Sequence, residues 1–210
     1  MEPFLNITER EEIKLKENLK GHIYTFNKGE EILQTINAKN IICIMLDGEA
    51  RYVLNDYNGN EILIEELKKN SVFGTFINDI DNPNTQLYSA SETKVLVLDY
   101  NLLMSDLLNN NLYYIKFIKN LFSILTYKIS EYNKRIRVLS KKSIRDKILE
   151  YISILYENYH SKTIYLDKSL KDIADYICVN RSAMFREIKY LKEDRIISLE
   201  KSKLTILYDI

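Results

Sequence analysis

The hydrophobic period changes twice along the chain. Between residues 22 and 100, short runs rich in Ile, Val, Leu and Tyr alternate with turn signals at Asn27-Lys28-Gly29, Asp47-Gly48, Asn58-Gly59 and Asn82-Pro83-Asn84. These runs predict strands over 22–26, 41–46, 49–55, 61–67, 86–90 and 94–99. Turns at roughly ten-residue spacing with no helical period point to an antiparallel sandwich or barrel. Asn58-Gly59 is the best hairpin turn, because both residues tolerate positive φ. Ahead of this region, residues 4–20 read as a short amphipathic helix. Thr8 and Glu11 fit a capping box, and Leu5, Ile13 and Leu19 supply apolar positions.

After residue 105 the steps lengthen. Leu108, Ile115, Ile118, Phe122, Leu125, Ile129, Tyr132, Ile136 and Leu139 follow alternating three- and four-residue steps, broken only at Asn111. A repeat of 3.5 over about four heptads is a coiled-coil seam. The helix is long, about 45 Å at about 1.5 Å per residue. The plainest partner for so narrow a seam is the same helix of a second copy, in a two-fold dimer. The alternative is the chain's own β domain.

Residues 140–160 predict another helix. Ser143 and Asp146 fit a capping box, and Ile144, Ile148, Leu149, Ile152 and Leu155 form the stripe. Residues 163–166 read as a short strand. One helix then runs from Ser169 to about Tyr176, and a second from Asn180 to near Glu193, with only Ile177-Cys178-Val179 between them. Two helices joined by so short a turn make a helix-turn-helix. Residues 196–199 and 204–207 flank a polar turn and predict a β-hairpin wing. On the second helix, steps of about 100° place Arg181, Ser182, Phe185, Arg186, Lys189 and Lys192 on one face. Met184, Ile188 and Leu191 face the other way, and Asn180 can cap the helix. Cations in the first two turns suit a major groove. An arginine fork matches guanine O6 and N7, while lysines suit phosphates. The competing reading is a solvated basic helix face.

Charge sharpens this picture. Equal counts, 30 basic and 30 acidic, hide a split. Residues 1–105 carry 10 basic and 17 acidic side chains, residues 106–140 carry 6 and 2, and residues 141–210 carry 14 and 11. A basic back half hints at a polyanion partner. Two Cys without a CxxC spacing argue against a disulfide scaffold and a zinc site, and two His argue against most His-rich metal centres. Neither an apolar run near 18 residues nor a secretory leader is present, so no membrane span and a cytoplasmic setting are expected. No nucleophile–base pair or phosphate loop stands out, so no enzyme activity is expected.

In this order, a β-roll, a long helix and a winged helix-turn-helix resemble the Crp/Fnr family of bacterial transcription regulators, over residues of about 20 to 207. The matching segments are Asn27-Lys28-Gly29-Glu30, Leu46-Asp47-Gly48, Gly59-Asn60-Glu61-Ile62 and Val72-Phe73-Gly74 in the front half. In the back half they are Ser169-Leu170-Lys171-Asp172-Ile173-Ala174 and Asn180-Arg181-Ser182-Ala183-Met184-Phe185-Arg186. The implied fold is α+β: an N-terminal antiparallel, jelly-roll-like β-roll that senses an effector (1–106), a dimerisation helix (107–139) and a C-terminal winged helix-turn-helix (140–210). The implied partners are double-stranded DNA, a second copy and an unidentified small-molecule effector, and the resemblance also allows RNA polymerase. DNA contact falls to Ser169, Asn180, Arg181, Ser182, Phe185, Arg186, Lys189 and Lys192. The dimer seam falls to Ile115, Ile118, Phe122, Leu125, Ile129, Tyr132, Ile136 and Leu139. The effector pocket would lie near Phe73, Gly74, Thr75, Asn84, Tyr132 and Asn133.

Departures from the family pattern shape the expectation. Members that bind cyclic AMP hold its phosphate with a Glu and an Arg-Ser pair, where this chain has Thr75, Pro83 and Asn84. A buried phosphate would find no cation, so the usual cyclic-nucleotide mode is not expected. Iron–sulfur ligation by an N-terminal Cys cluster is excluded, since no Cys precedes Cys43. Haem would need His22, which reads better as a surface residue, and no cofactor is assigned. Ser182 replaces a commonly acidic position, so the operator should differ. Cys178 replaces a frequent Gly and reads as a partly buried turn residue, and Cys43 reads as core. Two rivals stand beside this reading: a cupin-type enzyme, poorly supplied with His, and a β-roll module whose reader domain no longer binds DNA.

Overall fold

The computed structural model describes residues 1–36, 39–78, 82–105 and 111–208. They form two compact units, Met1–Lys128 and Ile129–Ile210. The elements run α1 (Glu9–Asn18), β1 (His22–Phe26), α2 (Ile32–Ile36), β2 (Ile41–Asp47), β3 (Ala50–Asn55), β4 (Glu61–Leu67), β5 (Val72–Gly74), β6 (Thr85–Ser89), β7 (Thr93–Asp99), α3 (Tyr100–Leu103) and α4 (Leu112–Leu139). Then follow α5 (Ile144–Tyr159), β8 (Thr163–Tyr165), α6 (Leu170–Tyr176), α7 (Arg181–Glu193), β9 (Ile197–Glu200) and β10 (Lys203–Ile206).

Two antiparallel sheets, in orders β1-β7-β2-β5 and β4-β3-β6, build the first unit. Successive residues of β2 serve two cores. Ile41, Cys43 and Met45 join Phe26, Tyr52, Phe73 and Leu87 between the sheets. Ile42 and Ile44 join Leu15, Leu19, Phe117 and Leu121 beneath α1 and α4. This double burial explains why residues 41–46 read as an unbroken apolar run rather than an alternating one. The Cys43 thiol is fully buried, and burial pushes its pKa up.

Several boundaries differ from expectation. The first helix begins at Glu9, not at residue 4, because Thr8 caps it in a reciprocal box with Glu11. Leu5 and Ile13 are exposed, and Leu15 with Leu19 makes the core contact instead. The apolar pattern did not reveal the short elements β5, α2 and α3. Leu108 and the expected boundary between residues 106 and 107 lie outside the described residues. Ser143 caps α5 by accepting from the Asp146 N–H at 3.0 Å, while its hydroxyl donates to the Asp146 carboxylate at 2.6 Å.

The long helix carries two apolar stripes. Tyr114, Phe117, Leu121 and Ile124 are buried in the first unit's core. Lys128 ends that stripe, 8% exposed, with Nζ 2.8 Å from Glu65 Oε2 and 3.2 Å from the Val72 carbonyl oxygen. The second stripe is the heptad seam. Ile115, Phe122, Ile129 and Ile136, seven residues apart, are all exposed, and Ile118, Leu125, Tyr132 and Leu139 are half-buried. The two readings of the seam's partner were therefore competing over different faces of one helix.

In the second unit, a small sheet of order β8-β10-β9 and helices α5, α6 and α7 enclose one core. Ile148, Ile152 and Leu155 of α5 meet Ile173 and Ala174 of α6, Met184, Ile188 and Leu191 of α7, and Ile197, Leu204 and Ile206 of the hairpin. Among the described residues, no helix is long and apolar enough to cross a membrane.

Candidate nucleic-acid interface

The site is built from two capped helices and one tight turn. Ser169 caps α6 by accepting from the Asp172 N–H. Its hydroxyl and N–H donate back to the Asp172 carboxylate, which holds that carboxyl below its ordinary range. Asn180 Oδ1 caps α7 by accepting from the Ala183 N–H at 3.2 Å. Between the helices, Cys178 takes a left-handed φ of +52°. This backbone is why glycine is frequent at such a turn. Cys178 is exposed rather than partly buried, because a left-handed residue here turns its Cβ away from the core formed by Ile177 and Ala174.

The turn is braced from behind by cations that sequence reading missed. Arg135 donates through Nε to the Tyr176 carbonyl at 3.0 Å and lies over the Tyr176 ring. Lys147 donates to the Ile177 carbonyl at 3.3 Å. Both complete the carbonyl end of α6, where the helix dipole favours positive charge. Arg145 bonds Glu187 at 3.2 Å and Asp194 at 2.7 Å, tying α5 to α7. These partners lie between 30 and 49 residues apart in sequence, so no local period could reveal them.

With Met184, Ile188 and Leu191 buried, α7 is fixed in rotation and its opposite face meets solvent. Arg181, Ser182, Phe185, Arg186, Lys189 and Lys192 are all exposed on it. Phe185 is 49% exposed. Arg181 is not free: its Nη2 lies 3.1 Å from Asp175 Oδ2 and 3.3 Å from Oδ1. Lys189 pairs loosely with Glu193 at 3.7 Å, and Lys192 donates to the Leu199 carbonyl of β9 at 3.3 Å. Arg186 makes no ion pair among the described residues.

The residues expected near an effector are placed in different units. Phe73 is fully buried in the core between the sheets. Gly74 takes φ +136°, and its N–H donates to the Asn78 side chain at 3.2 Å. The Thr75 hydroxyl oxygen accepts from the Ile41 N–H at 3.1 Å, extending the β2–β5 pairing. Asn84 is exposed in the turn before β6, where its carbonyl accepts from the Asn55 N–H. Tyr132 and Asn133 belong to α4 in the second unit. His22 is exposed at the start of β1.

No protein-family model and no curated protein matches this chain. Solved structures do match its shape. CprK complexed with OCPA covers 93% of this chain and 91% of its own, at 17% identity and a TM-score of 0.69. CooA from Carboxydothermus hydrogenoformans, in a mutant form, covers 98% and 91%, at 15% identity and a TM-score of 0.65. The c-di-GMP-responsive global regulator CLP of Xanthomonas campestris covers 93% and 98%, at 11% identity and a TM-score of 0.58. The chain has the fold of the Crp/Fnr regulators. In Crp/Fnr terms the first unit carries the β-roll, α4 is the long helix, and α6, α7 and the β9–β10 hairpin make the winged helix-turn-helix. OCPA belongs to CprK and c-di-GMP to CLP.

Proposed function

We propose that this chain is a sequence-specific, DNA-binding transcription regulator of the Crp/Fnr type, acting as a cytoplasmic homodimer. Residues 1–106 sense an unidentified small molecule, 107–139 pair the subunits and 140–210 read DNA. One observation carries the reading: α7 turns Arg181, Ser182, Phe185, Arg186 and Lys189 to solvent while its reverse face is locked into a core. A ring beside guanidinium groups suits a major groove with its thymine methyls. The exposed heptad seam of α4 supports a two-fold dimer, and a two-fold dimer requires an inverted repeat with half-sites about one helical turn apart. Thr75 offers no charge to a buried phosphate, which supports an effector other than a conventionally held cyclic nucleotide. RNA polymerase as a partner rests on the family resemblance alone.

Selection of bound sequences from random duplex DNA tests the reading. The expected product is an inverted repeat, bound at least about 100-fold more weakly by the Arg181→Ala/Arg186→Ala double variant, since each half-site loses a base-reading contact of about 1–3 kcal/mol from Arg181 and a phosphate contact from Arg186. Purified dimer that enriches no sequence, or enriches the same repeat without both arginines, would leave a β-roll module with a silent reader domain as the better description.

A further inference from the structure

We infer that Asp175 is a positioning residue that commits Arg181 to the edge of a guanine and keeps it off the phosphate backbone. The inference rests on the DNA-reading function proposed above and assigns a part to a side chain on the other helix of the motif. Arg181 is the first residue of α7, and Asp175 lies in the last turn of α6. The left-handed Cys178 folds the chain back between them, so six residues of sequence close to an ion pair of 3.1 Å. The Asp175 backbone is itself held, because its carbonyl accepts from the N–H groups of Ile177 and Cys178.

The geometry divides the guanidinium. Asp175 engages Nη2 with both carboxylate oxygens and leaves Nη1, at the end of the fork, to another partner. Guanine O6 and N7 need two N–H donors in one plane, which the end of the fork presents when Nη1 is joined by the Nη2 hydrogen turned away from Asp175. A phosphate is a poorer partner. The guanidinium charge is already matched, and a second anion would approach the carboxylate. The neutral guanine edge brings no such repulsion. The brace also fixes a side chain that would otherwise lose rotamer freedom on binding. At 49% and 29% side-chain exposure the pair is too wet to add much stability by itself, so its value is directional. Lys189 and Arg186, further along the same face, are left to the backbone.

The test uses the full-length dimer on its selected operator, with 7-deazaguanine replacing one guanine of the half-site at a time. This base lacks only the N7 acceptor. For the wild type, one replacement is expected to weaken binding about tenfold. In Asp175→Asn, which keeps size and removes charge, the same replacement should cost under about threefold, while affinity for unrelated duplex rises a few-fold as a negative charge leaves the interface. Asp175→Glu should restore part of the sensitivity. Equal 7-deazaguanine penalties in wild type and Asp175→Asn would overturn the inference and leave the proposed function intact. A wild type that binds no duplex would overturn both. Unchanged thermal unfolding of Asp175→Asn separates positioning from folding.

Discussion

At the scale of single residues, backbone conformation decides more than side-chain chemistry. Gly74 has φ +136°, and a Cβ there would stand 2.3 Å from the Ile41 carbonyl oxygen, which belongs to the paired strand β2. Gly59 has φ +77° in the hairpin turn, but a Cβ would meet nothing within 4 Å. The two substitutions should therefore separate. Gly59→Ala should cost about 1 kcal/mol of conformational strain, and Gly74→Ala at least about 3 kcal/mol, because backbone must move as well. Urea denaturation of the two variants measures the difference, and equal midpoints would refute the steric account. The pattern Val72-Phe73-Gly74 marked this place in the sequence, but not the reason for it. The reason is a close approach of two strands distant in sequence.

At the scale of elements, α4 has two apolar stripes where sequence reading found one. The stripe of Tyr114, Phe117, Leu121 and Ile124 is buried, and the seam of Ile115, Phe122, Ile129 and Ile136 is exposed. A 3.5 repeat drew attention to the seam. The buried stripe includes Tyr114 and ends in Lys128, whose charge hides it from a hydrophobic count. Lys128 is tolerated there because Glu65 and the Val72 carbonyl meet its ammonium group, as a buried charge requires. The stripes predict opposite phenotypes. Phe122→Glu with Ile129→Glu should convert the proposed dimer to a folded monomer, seen as a halved mass in sedimentation with an unchanged circular dichroism spectrum. Phe117→Ala should instead lower the stability of the first unit by about 3–5 kcal/mol, the cost of emptying a closed core site. A dimer that survives the double charge substitution would show that the seam faces something else.

For the whole molecule, the even charge total conceals its use. The front half is acidic, and the cations proposed to meet DNA cluster on one helix of the back half. If Arg181 reads a base, Arg186, Lys189 and Lys192 remain for phosphates, which makes six contacts in a dimer. Counterion release then sets the slope of log affinity against log salt at about −5. Fluorescence anisotropy across a salt series checks this, and a slope shallower than about −2 would mean that most of these cations do not touch phosphate.

Sequence alone determined what depends on local period and local capping. The strands 22–26, 41–46 and 61–67, the caps Thr8, Ser169 and Asn180, the two helices of the reader and the exposed face of α7 all follow from spacing within a few residues of one another. Tertiary structure alone decided what depends on neighbours far along the chain. It buried one stripe of α4 and exposed another, set Lys128 on Glu65, braced the reader's turn with Arg135 and Lys147, and brought Asp175 onto Arg181. Periodicity records which way a side chain points along its own element. It carries no record of which charge another element will bring to meet it, and for this protein those meetings shape the surface proposed to read DNA.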